Sequence, residues 1–347
     1  MLSLALLVGT LLVTASAQAQ ERSHESELQE ALAAQNEFLR HRLDRVSRQV
    51  DDLMFFMRLG DIADIEWARI TGPPLAYQPN PTAQGAGNPF IFYTYIFIPK
   101  DLDRSKKQPL IVMPHGGVHS NFGSSTANIL RELLVQGYTI VAPEYRGSTG
   151  YGRRTYEAID YGGLEIEDTY AARNHMIENY DFIDDGRVGL VGWSHGGLHA
   201  LMNLFAHGEE YAAAYAGVPV SDLIARMGYK TQGYRDLYSE EYHIGKTAYE
   251  DVEEYRRRSP SWNVDRYDGT PLLIYTTTND QDVNVLEVER LIQGLQAAGK
   301  TGFEFKIFED MPGGHSFDRL DSKAAKEIRE DIWRFLARHL RPDRPVR

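Results

Sequence analysis

The pentapeptide Gly192-Trp193-Ser194-His195-Gly196 constrains this chain more than any other feature, because of where it sits. Upstream, Arg187 to Val191 is a short apolar run of the kind that forms a buried strand. Downstream, Gly197 to Ala206 is dense in Ala, Leu and Met, the composition of a buried helix. A G-x-S-x-G pattern between a strand and a helix makes a sharp turn. Its glycines let the backbone fold back, its serine hydroxyl is lifted off the sheet, and the next amide, that of His195, is left at the helix N-terminus facing any oxyanion nearby.

The elbow needs a sheet to stand on, and the rest of the chain supplies one. Apolar segments at Leu110–Pro114, Tyr138–Ala142, Ala212–Ala216, Leu272–Thr277 and Phe303–Phe308 alternate with helical stretches at Ser125–Gln136, Gly163–Tyr180, Val283–Ala298 and Lys323–His339. Short strands separated by amphipathic helices imply an α/β fold, a mostly parallel sheet with helices on both faces. Phe90 to Ile98 alternates in a β-rich way and is expected as an edge strand, after an irregular Pro- and Gly-rich connection over Thr71–Pro89. No blade-like repeat of roughly forty to fifty residues is present.

Ahead of the sheet, Glu21 to Leu59 lacks proline and glycine and is expected as one long amphipathic helix ended by Gly60. Leu32, Leu39, Leu43, Val46, Val50, Leu53 and Met57 recur in steps of three and four, with Asn36 at one core position, a coiled-coil-like seam. Two readings stand. The helix pairs with its twin in a homodimer, Asn36 setting the register, or it lies against its own catalytic domain through a broad face that includes Met54, Phe55 and Phe56; a mixture of the two, with the C-terminal end docked in cis, is favoured. Residues 1–20 carry no charge, and Leu2–Val13 with the small-x-small sites Ala15-Ser16-Ala17 and Ala17-Gln18-Ala19 read as a signal peptide, though no Lys or Arg precedes them. The expected organisation is a signal peptide over 1–19, the helix over 20–60 and a catalytic domain over 61–347, in a periplasmic or secreted protein with no stable membrane insertion after cleavage.

A formal net charge of −12 argues against nucleic-acid binding, since no basic stripe exists to release counterions. With no cysteine in the chain, disulfides, thiolate catalysis and cysteine-bound metals are excluded. No cofactor or metal is implied.

A serine hydroxyl is a weak nucleophile until a base takes its proton, so a histidine and an orienting acid are needed. Ligands gather at the carboxyl ends of the strands in such sheets. After the Leu272–Thr277 strand comes Asn279-Asp280-Gln281-Asp282, and after the Phe303–Phe308 strand comes Gly313-Gly314-His315. Ser194, Asp280 and His315 are therefore the expected catalytic residues, with Asp280 favoured over Asp282; the alternative is that both form an exposed acidic turn or that one caps the helix beginning near Val283. The oxyanion hole is expected from the His195 amide and the Gly117 amide, the latter in the His115-Gly116-Gly117 turn after the Leu110–Pro114 strand.

These motifs, together with Tyr145-Arg146-Gly147-Ser148-Thr149-Gly150-Tyr151-Gly152 and Arg258-Ser259-Pro260, resemble the catalytic domain of the prolyl oligopeptidase family, on the α/β-hydrolase fold. The resemblance runs from about Phe90 to Leu340. It implies Ser194, Asp280 and His315 as the triad, Gly117 and His195 as oxyanion donors, a side-chain contribution from His115 left open, and Tyr238 and Tyr242 as aromatic walls of the first specificity pocket. Two local departures are Thr276-Thr277-Thr278 where the family usually has His-Gly, and Ser316 where it usually has glycine. A third is the missing β-propeller, so exopeptidase specificity is not carried over. The expected function is an exported serine hydrolase acting on peptides, with a carboxylesterase acting on small or aromatic esters as the alternative. A catalytically silent hydrolase fold used for binding is the reading from another class.

Overall fold

The computed structural model describes residues 2–78 and 80–346, with side chains from His24 onward. Helix α1 (Leu2–Leu59) leads into a hairpin of β1 (Ala63–Pro74) and β2 (Pro89–Pro99). The chain then alternates: β3 (Gln108–Val112), α2 (Ala127–Leu134), β4 (Thr139–Glu144), a short α3 (Arg153–Tyr156), α4 (Leu164–Asn179), β5 (Ile183–Trp193) and α5 (His195–His207). Strand β6 (Ala213–Gly217) is followed by three small helices, α6 (Leu223–Tyr229), α7 (Gln232–Ser239) and α8 (Val252–Arg257). The chain closes with β7 (Leu272–Thr277), α9 (Val285–Ala297), β8 (Phe303–Phe308) and α10 (Lys323–Leu340).

The eight strands form one sheet in the order β1-β2-β4-β3-β5-β6-β7-β8. From β4 to β8 every pairing is parallel, while β1–β2 and β2–β4 are antiparallel. Two apolar layers follow, as expected when helices cover both faces. One holds Leu190, Leu198, Leu201 and Ile274, the other Val191, Tyr215, Trp333 and Leu336. The α/β-hydrolase fold expected from the sequence is the fold observed.

Two local expectations are corrected. Strand β2 is not an edge, because β1 covers it from Ala63↔Pro99 to Pro74↔Pro89. Strand β1 escapes an apolar-pattern reading because Asp64, Glu66, Trp67 and Arg69 leave it largely unburied, as befits a sheet edge. The second correction concerns α1. Its C-terminal end docks in cis, with Phe55 and Leu59 fully buried, but Phe56 is 57% exposed and takes no part in that face. Phe55 packs edge-on against Phe97 and stacks on Phe122. The signal peptide expected over 1–19 lies outside the residues whose side chains are described. Among the described residues, no helix is long and apolar enough to cross a membrane.

A buried ion pair ties the edge hairpin to the sheet. Arg146 and Asp168, both fully buried, meet through Nε and Nη2 at 2.8 Å each, and Arg146 also donates to the Pro73 and Pro74 carbonyls.

Candidate active site

The β5–α5 turn is held in a conformation a serine rarely adopts. Ser194 has φ 59° and ψ −120°, and its backbone is pinned on both sides: its amide donates to Gly217 O at 2.9 Å, and its carbonyl accepts from Leu198 and Val220. The flanking glycines are required by space. A Cβ on Gly192 would lie 2.0 Å from Gly196 O, and one on Gly196 would lie 2.4 Å from Pro114 O. No side chain fits in either gap, so the two glycines permit the tight turn that presents the serine.

His315 sits on the turn after β8, and Asp280 on the turn after β7. The two meet: His315 Nδ1 lies 2.7 Å from Asp280 Oδ2. An ionised carboxylate only accepts hydrogen bonds, so Nδ1 carries the proton and the Nε2 lone pair is free. The second Asp280 oxygen accepts the Asp282 and Val283 amides at 2.8 and 2.9 Å, which fixes the carboxylate plane. Asp282 is placed differently. Its side chain is 55% exposed, 3.7 Å from His315 Nε2, and bonded to Lys230 Nζ at 2.7 Å. Burial, the largest single influence, would raise its pKa, but the Lys230 hydrogen bond and the nearby positive charges together outweigh it and hold the carboxyl below its usual value.

Ser194 and His315 line one cleft of about 680 Å³, together with Gly117, Ser120 and Trp193. Gly117 has φ +87°, and a Cβ there would lie 2.7 Å from Ser120 Cβ. His115 also lines the cleft, but its ring is committed elsewhere. Nε2 is 2.8 Å from Ser148 Oγ, Nδ1 is 3.0 Å from Gly116 O, and the ring stacks on Tyr145. Burial pushes its pKa down to about 3, so the imidazole is neutral at ordinary pH.

Neither Tyr238 nor Tyr242, expected as aromatic walls of the pocket, lines the cleft that holds Ser194. Tyr238 is fully buried, its hydroxyl 2.8 Å from the Tyr234 hydroxyl and its ring edge-on to Tyr161. Tyr242 lines a separate cavity of about 190 Å³ with Tyr77, Glu241 and His243. The tyrosines follow β6 on small helices whose packing no local sequence pattern reveals.

Several residues at the site were not singled out from the sequence. The His195 side chain turns inward, 2.8 Å from Glu165, and its neighbour His199 lies 3.3 Å from it, with Thr169 Oγ1 2.8 Å from the other His199 nitrogen. All four residues are buried. Burial favours the neutral form of Glu165, but the charge and hydrogen bonds of His195 and His199 outweigh it and hold the carboxyl well below the usual range. Glu165, His195 and His199 bring three ligand atoms within 4.8 Å of one another, the spacing of a cation site, and here those atoms bond to one another. A signal for this cluster exists in the sequence: two histidines four apart on a largely apolar helix share a face. The cleft also takes Asp51 and Arg58 from α1 and Arg319 from the turn after His315.

The family model described as "Prolyl oligopeptidase family" matches residues 125–343. Among curated relatives, dipeptidyl peptidase 8 of Mus musculus is 30% identical over 231 residues, 63% of this chain and 24% of its own length. The acylamino-acid-releasing enzyme of Arabidopsis thaliana is 26% identical over 257 residues, 72% of this chain and 33% of its own. The chain thus spans about a quarter to a third of these relatives. Among solved structures, a puromycin hydrolase superposes with TM-score 0.65 at 23% identity, covering 81% of this chain and 40% of that one. The acylaminoacyl peptidase of Pyrococcus horikoshii gives TM-score 0.65 at 19% identity, covering 81% and 42%. At those identities the structures speak to the fold alone.

Proposed function

This chain belongs to the prolyl oligopeptidase family, and we propose that it is an exported serine peptidase that cleaves acyl bonds through Ser194, His315 and Asp280. The observation that carries the reading is the 2.7 Å contact between His315 Nδ1 and Asp280 Oδ2, with His315 and a serine held at φ 59° lining one cleft. Peptide substrates are favoured by the relatives' names, dipeptidyl peptidase and acylamino-acid-releasing enzyme. Export is favoured by the uncharged apolar start of the chain.

The chemistry follows from the proton placement. His315 Nε2 takes the Ser194 proton as Oγ attacks the scissile carbonyl, and Asp280 stabilises the imidazolium that results. The amides of Gly117 and His195 receive the oxyanion, each worth about 3 kcal/mol of barrier in such sites. Collapse of the tetrahedral intermediate breaks the acyl bond, and His315 gives its proton to the departing amine. Water then enters and attacks the acyl carbon as His315 takes its proton, and the second tetrahedral intermediate collapses to free the acid as His315 returns that proton to Ser194 Oγ. The His195 side chain contributes apart from its amide, because its bond to Glu165 anchors the first turn of α5, where that oxyanion donor sits.

Fluorophosphonate labelling tests the reading. Labelling of the wild type and its loss in Ser194→Ala are expected, and absence of labelling in folded wild-type protein would end the proposal. Turnover of aminoacyl amides within about a hundredfold of nitrophenyl esters separates a peptidase from an esterase, because an amine leaving group needs well-placed acid catalysis.

A further inference from the structure

Helix α1 has two opposite faces, and the structure uses only one. The face against the catalytic domain is largely polar. His41 meets Tyr156 edge-on, Arg48 lies over Trp67 and Tyr151, and Asp51 accepts the Ser124 amide at 2.8 Å. Asp52 accepts the Tyr95 hydroxyl, while Phe55 and Leu59 close the contact. The fit is close: a Cβ on Gly150 would lie 2.8 Å from Arg48 Cβ.

The other face is apolar and open. Leu32, Leu39, Leu43, Val46, Val50, Leu53 and Met57 are 48–78% exposed. Their spacing assigns a heptad without interruption: Asn36, Leu43, Val50 and Met57 fall at a, and Leu32, Leu39, Val46 and Leu53 at d. In the same frame the docked residues fall at f (His41, Arg48, Phe55), b (Asp51) and c (Asp52, Leu59). These are the outer positions of a coiled coil. The catalytic domain therefore occupies the side of α1 that a partner helix leaves free.

We propose that this face is the dimer interface of the protein, α1 of one copy pairing in parallel and in register with α1 of a second. The pattern is self-complementary, and parallel pairing sets Asn36 against Asn36, where the two amides bond to each other and fix the register. Flanking g–e′ pairs are Gln35–Arg40′, Arg42–Ser47′ and Gln49–Met54′, so no like charges oppose one another. Seven apolar side chains at roughly 100 Å² each give about 700 Å² per copy, close to the ~800 Å² a side of a standard interface and above the patch a monomer usually exposes. The seam spans on the order of 38 Å at the helical rise.

The test reads mass and covalent linkage rather than turnover, so its outcome is separate from that of the hydrolase reading. Sedimentation of the full chain is expected to give a dimer at micromolar concentration, and Leu39→Glu with Leu43→Glu to give a monomer that retains fluorophosphonate labelling. Because the chain has no cysteine, Asn36→Cys introduces a single thiol, and oxidation is expected to convert most of the protein to a disulfide-linked dimer. Phe38→Cys, at an outward c position, is expected to link far less. A monomeric wild type, a dimer untouched by the paired glutamates, or a dimer that Asn36→Cys fails to link would each overturn the proposal.

Discussion

Asp280→Asn exchanges one oxygen for nitrogen, and the structure dictates which one. Asp280 Oδ1 accepts two loop amides, from Asp282 at 2.8 Å and Val283 at 2.9 Å, while Oδ2 faces His315 Nδ1 at 2.7 Å. An asparagine there must keep its carbonyl oxygen towards the two amides. The opposite orientation would set donors against donors, at about 1–3 kcal/mol for each buried group left unpaired. Its NH2 therefore faces His315 and donates to Nδ1. The imidazole proton moves to Nε2, the nitrogen that should accept the serine proton. The expected loss is about 10⁴ in kcat, the size seen for this exchange in a Ser-His-Asp enzyme and equal to about 5.5 kcal/mol of barrier. The control is Asp282→Asn, at a side chain 55% exposed and 3.7 Å from Nε2, where a few-fold effect is expected. Hydrolysis of a chromogenic acyl ester, normalised to active sites titrated with a fluorophosphonate, provides the assay. Asp280→Asn retaining more than a tenth of wild-type kcat, or Asp282→Asn matching its loss, would refute the reasoning.

Two further outcomes concern stability. Asp168→Ala strands the fully buried Arg146 guanidinium and is expected to cost about 3–5 kcal/mol in urea unfolding, with less than about 1 kcal/mol counting against the pair's importance. Glu144 is fully buried, and burial pushes its pKa up to about 8. Between the ordinary carboxylate range and pH 8 the folded state therefore keeps a proton that the unfolded state has released. Stability from this group falls as pH rises through that window. Glu144→Gln, which can still accept the Phe122 amide, should show a Tm advantage over wild type that grows from pH 5 to pH 8.5. Parallel Tm profiles would refute it.

The last two strands were the most legible in the sequence. Strands β7 and β8 fall at the residues expected, because fully buried or regularly spaced apolar runs state their own limits. Strand β1 was not read, since an edge strand needs few apolar residues and its register is set by β2. Asp280 and His315 could be placed because each follows a strand in a sheet whose carboxyl ends converge. Tyr238 could not, because burial of a tyrosine depends on what packs over it, here Tyr161 and Tyr234. The heptad of α1 was visible as a period, but the period alone says nothing of which face the catalytic domain takes. That required knowing that Arg48 and Asp52 find partners on Trp67, Tyr151 and Tyr95.

The backbone at Ser194 carries a lasting consequence. A residue with a Cβ at φ 59° and ψ −120° sits above its relaxed energy by about 1–3 kcal/mol, and only glycine escapes the penalty. Ser194→Gly would thus trade a reacting hydroxyl for a sturdier molecule. Selection for stability alone would favour glycine at this turn, and the proposed acyl chemistry is what a serine there supplies in exchange.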